Sequence, residues 1–461
     1  MKVERTRKTI RTLLLGGVFI AMAPGALQAE TMNGALAKAY SANPTLNAQR
    51  ASLRAVDENV PQALSGYRPT VNATGNIGAT RYETRVPGQK SADTIYPGSF
   101  GVQLDQNIFD GNRTTNSVRA AESQVFSGRE QLRNSEQTTL LSGVSAYMNV
   151  LRDTAVLNLQ RNDVEVLEEQ LRQTQDRFNV GEVTRTDVAQ AEAQLASSRA
   201  QASVAEANLR TSIAVYQQVI GQAPTKLGPG TPVEKSLPKT LDQAIRIGVA
   251  EHPAIIAAMH GVDVADFQIK VVESALYPRL TLSANVARNY NSTSADTIQT
   301  SASIVGKLTV PIYEGGLVYS QTRQAKEQAG QSRLQVDITR DQVQQAVISA
   351  WANHEAAKQR ITAAQAAVSA NEIALSGTRE EAKVGQRTTL DVLNAQQTLL
   401  SSRVSLVTAQ RDRIVASYEV LSAIGRLSAA TLGLRVAQYD AKRHFEQVRG
   451  KWIGTAIPDG R

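Results

Sequence analysis

The chain has no cysteine among its 461 residues, so no disulfide braces it and no thiolate can ligate a metal. Aromatic residues make up only 5% of it, which argues against thick globular cores and for helices meeting along narrow seams. Histidine is sparser still: His252, His260, His354 and His444 are scattered, without the spacing of a metal site. The stretch from Gly221 to Gly228 lacks the Gly-Lys-Ser/Thr ending of a phosphate loop, and no Gly-x-Ser-x-Gly nucleophile turn occurs. An enzyme is therefore not expected, nor a cofactor, nor a bound metal. Beyond Glu30 there is also no apolar run of the roughly 18 residues that a membrane-spanning helix requires.

What is present begins with a leader. Lys2, Arg5, Arg7, Lys8 and Arg11 precede the apolar run Leu13 to Ala23, and small residues around Ala26 and Ala29 offer a cleavage site before Glu30. Residues 1–29 read as a secretory signal; the alternative, a membrane anchor, is disfavoured because the run is too short to span a bilayer. Five of the 50 Lys and Arg and one of the 42 Asp and Glu lie in that segment, so the net charge falls from +8 to +4 beyond it. The remaining basic residues are interspersed with acids rather than gathered in a stripe, and no nucleic-acid partner is expected.

The rest of the chain repeats itself. Gly181 and Asp187 recur as Gly385 and Asp391 at an offset of 204, in the same register as Ser198-Arg199 and Ser402-Arg403. Asn43-Pro44 matches His252-Pro253 at 209, Ile108-Phe109-Asp110-Gly111 matches Ile312-Tyr313-Glu314-Gly315 at 204, and the change of five falls between Pro69 and Ile108. Such variation suits a loop between two strands. Each half therefore reads as helix, strand, loop, strand, very long helix, turn and long helix. The expected divisions are 1–29 signal, 30–221 first repeat, 222–240 linker, 241–425 second repeat and 426–461 C-terminal segment.

The helices declare themselves by seven-residue spacing. Val150, Leu157, Val164, Leu171 and Phe178 keep it before the first turn, and Val188, Leu195, Ala202, Leu209 and Tyr216 after it. In the second half Ile361, Val368, Leu375 and Ala382 lead to Leu393, Leu400, Val407, Ile414 and Leu421. Seams this long mean coiled-coil packing, and a proline-free helix from about Asn112 to Phe178 would be on the order of 100 Å long. At each turn the glycine can take the left-handed conformation that ends a helix, and Thr184…Asp187 and Thr388…Asp391 have capping-box spacing with Asp in place of Glu.

The strands alternate. Val71, Ala73, Ile77 and Ala79 interleave with Asn72, Thr74, Asn76 and Thr80; Leu280, Leu282, Ala284 and Val286 interleave with Thr281, Ser283 and Asn285. Segments around Phe100, Val102 and Leu104 and around Ile304, Leu308 and Val310 behave likewise. The apolar face could cover a soluble core. Strands of about ten residues, set between helices with no globular partner to cover them, also fit an outer-membrane barrel. Four strands cannot close one, because known barrels begin at about eight, so several chains must pool theirs.

The duplicated Asn43-Pro44 and His252-Pro253 steps, the Phe109-Asp110-Gly111 and Tyr313-Glu314-Gly315 turns, and the paired Val-Gly…Asp-Val tips resemble the TolC family of outer-membrane efflux proteins, from about Met32 to Gly425. The resemblance implies a membrane α/β fold in a homotrimeric channel-tunnel. Four strands per chain would enter one twelve-stranded outer-membrane barrel in contact with lipid, and long helices would form a periplasmic α-barrel. It further implies a periplasmic adaptor (membrane fusion protein) and an inner-membrane pump of the RND or ABC class. By carry-over, Arg387 would latch to Thr186 and Asp187, and Asp391 with Asn394 would line the periplasmic gate. Gly181 with Glu182 and Gly385 with Gln386 would be adaptor-docking edges. Asn394 stands where the family has a second carboxylate and Ala382 where it has tyrosine, which implies a smaller cation block at the gate. A periplasmic structural coiled-coil protein without a channel is the alternative reading: it accounts for the seams and the leader, but not for the strands.

Overall fold

The computed structural model describes residues 29–292 and 294–458; the expected signal segment, but for Ala29, lies outside them. The first half runs through α1 (Met32–Ala42), α2 (Pro44–Asp57) and α3 (Asn59–Leu64) to β1 (Thr70–Ile77), β2 (Thr80–Val86), β3 (Gln89–Ile95) and β4 (Gly98–Phe109). It then continues into α4 (Arg113–Asn179) and α5 (Arg185–Ile220). The second half comprises α6 (Leu241–Glu251), α7 (Pro253–Glu273), β5 (Arg279–Tyr290), β6 (Ile298–Thr309), α8 (Leu317–Lys383) and α9 (Thr389–Ala423), followed by the short α10 (Arg443–Val448). Among the described residues no helix is long and apolar enough to cross a membrane.

The longest rods, α4 and α8, have 67 residues each, roughly 100 Å at the α-helical rise. Their length follows from an uninterrupted seam. Of the residues in heptad register only Phe178 is exposed; the others are buried or half-buried. Where the chain must bend, proline and a capping side chain do the work. Asn43 Oδ1 accepts from the N–H of Thr45 (2.9 Å) and Leu46 (3.1 Å), opening α2 at Pro44, while Asn43 Nδ2 donates to the carbonyl of Val219 (2.9 Å) near the end of α5. His252 Nδ1 accepts from the Ala254 N–H (3.2 Å) at the matching step into α7. Each X-Pro step is thus a helix boundary with its orphan donors satisfied.

The main core lies where these bends meet the middle of the rods. Leu36, Leu140, Val144, Tyr147, Tyr216, Ile220, Leu421, Ile424 and Leu427 are almost wholly buried there, with the linker before α6 and the segment after Gly425 packed around them. Towards the tips the core narrows to seams. Leu167, Leu195 and Leu393 join the two helical hairpins, and Leu375, Val392 and Leu399 close the second.

Four strands form one antiparallel sheet in the order β1-β4-β5-β6, with a register shift between Asn107 and Phe109 of β4. Its register sorts side chains cleanly. Val71, Leu104, Ala284 and Ile304 form one cross-strand row, and Asn72, Gln103, Asn285 and Ser303 form the adjacent row on the opposite face. One expectation is corrected: the segment between β1 and β4 is not a plain loop. It contains the β2–β3 hairpin, paired from Thr80↔Ile95 to Val86↔Gln89. Arg81, Glu83 and Arg85 alternate there with Tyr82 and Thr84 and lie opposite Thr94, Ala92 and Lys90, so the hairpin has no continuous apolar face to advertise it.

Candidate functional site

The two ends of the molecule carry different chemistry. At the strand end the apolar face is open: Val71, Ile77, Phe100, Ile298, Ile304 and Leu308 are all exposed, Ile304 by 77%. The opposite face carries Thr70, Asn72, Thr74, Gln103, Ser283, Asn285, Ser301 and Ser303. Among the described residues both outer strands, β1 and β6, lack a neighbour on one side, which leaves a row of unpaired N–H and C=O groups at each edge.

At the helical end the two tips are built alike. Gly181, at φ +82°, follows α4; its N–H donates to Phe178 O (3.0 Å) and that of Glu182 to Arg177 O (2.9 Å). Gly385, at φ +77°, follows α8, with N–H donation to Ala382 O (3.2 Å) and from Gln386 to Glu381 O (2.9 Å). This is the Schellman arrangement, which needs a residue without Cβ strain at the left-handed position. The next helices open on capping boxes. Thr184 N–H donates to Asp187 Oδ2 (2.9 Å) and Asp187 N–H to Thr184 Oγ1 (3.3 Å); Thr388 and Asp391 exchange the same bonds at 3.0 and 3.2 Å.

Those bonds fix the charge at both tips. The Thr184 hydroxyl and backbone N–H hold the Asp187 carboxyl below the usual carboxylate range; for Asp391 the Thr388 N–H is the larger cause, then its hydroxyl, with Arg387 adding a smaller share. Arg387 Nε donates to Glu381 Oε2 (2.8 Å) on its own tip, as Arg177 Nε does to Glu182 Oε2 (3.0 Å). Within the chain, and among the described residues, Arg387 makes no hydrogen bond to Thr186 or Asp187. Thr186 and Asn394 are exposed, and Gly181, Glu182, Gly385 and Gln386 form two solvent-facing edges. Ala382 packs beside Leu375 and Val392 in the second hairpin.

A polar junction above the tips escaped the sequence reading. The Asp163 carboxylate is buried between the hairpins, where it accepts from Ser198 Oγ (2.9 Å) on α5 and Gln396 Nε2 (3.2 Å) on α9. Nearby, Gln194 Nε2 donates to Gln397 Oε1 (3.1 Å). A buried carboxylate satisfied from two helices fixes the register between the hairpins as well as holding them together. Asp163 sits among Glu165, Glu168 and Glu169 in the sequence, and only its place on the seam, one position before Val164, distinguishes it from a solvated acid.

Comparison with known proteins agrees with this arrangement. The chain is 43% identical to the outer membrane efflux protein BepC of Brucella suis over 433 residues, covering 94% of this chain and 93% of that one. It is 28% identical to the outer membrane protein TolC of Escherichia coli over 425 residues, 88% and 84% of the two chains. The CmeC outer membrane channel of Campylobacter jejuni has the same fold, with a TM-score of 0.78 at 17% identity over 91% of this chain and 89% of that one. The sequence profile described as outer membrane efflux protein matches residues 35–222 and 246–426, and with that match the chain belongs to the TolC-type outer membrane efflux protein family and is located in the outer membrane.

Proposed function

We propose that the chain is one third of a homotrimeric conduit. Three four-stranded sheets would join edge to edge into a twelve-stranded barrel across the outer membrane, and three sets of rods would form a tunnel through the periplasm. The observation that carries this reading is the sheet itself. Among the described residues both edges are unpaired and both faces are open, with no segment covering the apolar one. Closure with sister copies pairs every edge group, and lipid covers the apolar face while the Asn-, Gln- and Ser-rich face lines water. The two-fold repeat fits the same plan, since each half supplies two strands and one helical hairpin. Along α8, Leu334, Ile338 and Ile348 are exposed on the shaft and would pack against a neighbouring protomer.

The conduit would carry solutes from an inner-membrane pump of the RND or ABC class, through a periplasmic adaptor docked on Gly181–Glu182 and Gly385–Gln386, to the exterior. Its gate would be the ring of tips. Arg387 is engaged with Glu381 inside one protomer and lies in the field of Asp391; in a trimer it would exchange that partner for Thr186 or Asp187 of the tip beside it. An exposed ion pair contributes only about 0–1 kcal/mol, so a ring of such pairs holds the tips closed yet opens readily. Three Asp391 carboxylates would attract cations at the mouth, without help from Asn394. Single-channel conductance with a trivalent cation on the periplasmic side tests the assignment: Asp391→Asn should relieve the block. A block unchanged by that substitution removes Asp391 from the gate. A periplasmic rod without a channel would appear in the soluble extract, contrary to the outer-membrane location.

A further inference from the structure

Beyond α10 the chain does not trail away; it climbs towards the sheet. His444 Nδ1 and Asp57 Oδ2, 2.9 Å apart and both buried, fasten α10 to α2, and Arg449 Nη2 donates to Glu122 Oε1 on α4 (2.9 Å). Arg68 Nη1 then donates to the Lys451 carbonyl (2.7 Å), and its guanidinium stands over the Trp452 ring, 4.7 Å from the centroid. Lys451 Nζ reaches forward to the Ala456 carbonyl (2.8 Å), which closes residues 451–456 into a small loop. The loop presents apolar groups outward: Trp452 is 68% exposed and Ile453 89%. Only Pro69 separates Arg68 from Thr70, the first residue of β1.

We propose that residues 451–457 form an interfacial anchor, seating Trp452 and Ile453 among the headgroups and upper acyl chains of the phospholipids in the periplasmic leaflet of the outer membrane. Three observations favour lipid as the occupant. The loop is bonded to the residue at the foot of a strand whose apolar face, on the barrel reading, meets hydrocarbon, so it lies at the level where that band begins. Tryptophan at such a level has its ring in the apolar margin and its N–H in the polar one. The surrounding charge is complementary as well: Arg54, Arg68 and Lys451 border the groove of about 850 Å³ between the tail and α2–α3, against the single acid Glu58, which suits lipid phosphates. The inference rests on the proposed barrel, since without membrane strands the loop has no leaflet to meet.

The test uses a property of the composition. Trp351 and Trp452 are the only tryptophans, and Trp351 packs against the core at mid-rod. The full chain is folded into phospholipid bilayers brominated near the headgroup or deep in the chain, and the fluorescence of Trp452 is taken as the difference between the wild type and Trp452→Phe. Trp351→Phe, which leaves Trp452 as the sole emitter, gives an independent reading. The expected result is that shallow bromines quench Trp452 more strongly than deep ones and leave Trp351 unaffected. Quenching of Trp452 by aqueous iodide but not by bromolipid overturns the anchor, and so does shielding from both, which would mean that a neighbouring copy covers the loop. A chain that fails to insert at all overturns the barrel reading together with the anchor; one that inserts and conducts with Trp452 unquenched overturns the anchor alone.

Discussion

Ile304→Arg and Ser303→Arg are one residue apart in the middle of β6 and point to opposite faces of the sheet. Both positions are exposed in the single chain, so a water-facing sheet predicts that each change stays within about 0.5 kcal/mol. The barrel predicts a large difference. Ile304 shares its row with Val71, Leu104 and Ala284, near the centre of strands long enough to span the hydrocarbon, whereas Ser303 shares its row with Asn72, Gln103 and Asn285. An arginine facing lipid at the midplane costs about 2–4 kcal/mol per chain, which lowers the folded-to-unfolded ratio about 30- to 800-fold. On the lumen face the same side chain remains hydrated. Urea unfolding in lipid vesicles gives the energies, and recovery of detergent-stable oligomer from outer membranes gives the cellular counterpart. Equal losses for the two variants, or a greater loss from Ser303→Arg, would refute the assignment of faces.

Two further outcomes concern the helical end. Asp187 and Asp391 both ionise below the ordinary range, so the unfolded chain binds more protons than the folded one as the pH falls. Their stabilisation is therefore complete above the unfolded value near 3.9 and is lost as the pH drops through the depressed folded values. Amide protection factors in the first turns of α5 and α9, taken relative to the intrinsic exchange rate at each pH, should be high at neutral pH and fall below about pH 4; Thr388→Ala should lower the protection at α9 about fivefold, a cost of about 1 kcal/mol. Protection that persists under acid would show that the caps do not depend on the carboxylates. Asp163→Ala leaves Ser198 and Gln396 without their buried acceptor and should cost about 1–3 kcal/mol in urea titration, with Asp163→Asn losing less because one acceptor oxygen remains. Unchanged stability in Asp163→Ala would exclude the junction as a fastening.

The parts of the fold legible in the sequence are those set by periodicity or by local spacing. The proline-free segment from about Asn112 to Phe178 matches α4 to within a residue at each end, heptads marked its seam from Val150 onward, and Thr-x-x-Asp located both helix entries, because a cap is decided by four consecutive residues. Alternation sorted the strands into faces because side-chain direction has a period of two. The β2–β3 hairpin was hidden for the converse reason: one side is largely charged, and on the other Tyr82, Val86 and Ile95 are interspersed with Thr80, Thr84, Ser91 and Asp93, so no face is marked as apolar. Asp163 was hidden among neighbouring acids, since its burial depends on two helices far away in the chain. The family resemblance supplied partners for Arg387 on another tip, whereas inside the chain Glu381 is a nearer acceptor, six residues back on the same turn.

The equal span of α4 and α8 has a mechanical consequence. Each rod joins the strand sheet to one tip, so the pair acts as a ruler with two legs resting on the same plane. Removing one heptad from α4 alone would lift its tip by about 10 Å and leave the other behind, whereas removing one from both, together with a heptad from α5 and from α9, would shorten the ruler and keep the tips level. A periplasm of different depth can therefore be bridged by this architecture only through changes made in both halves in register.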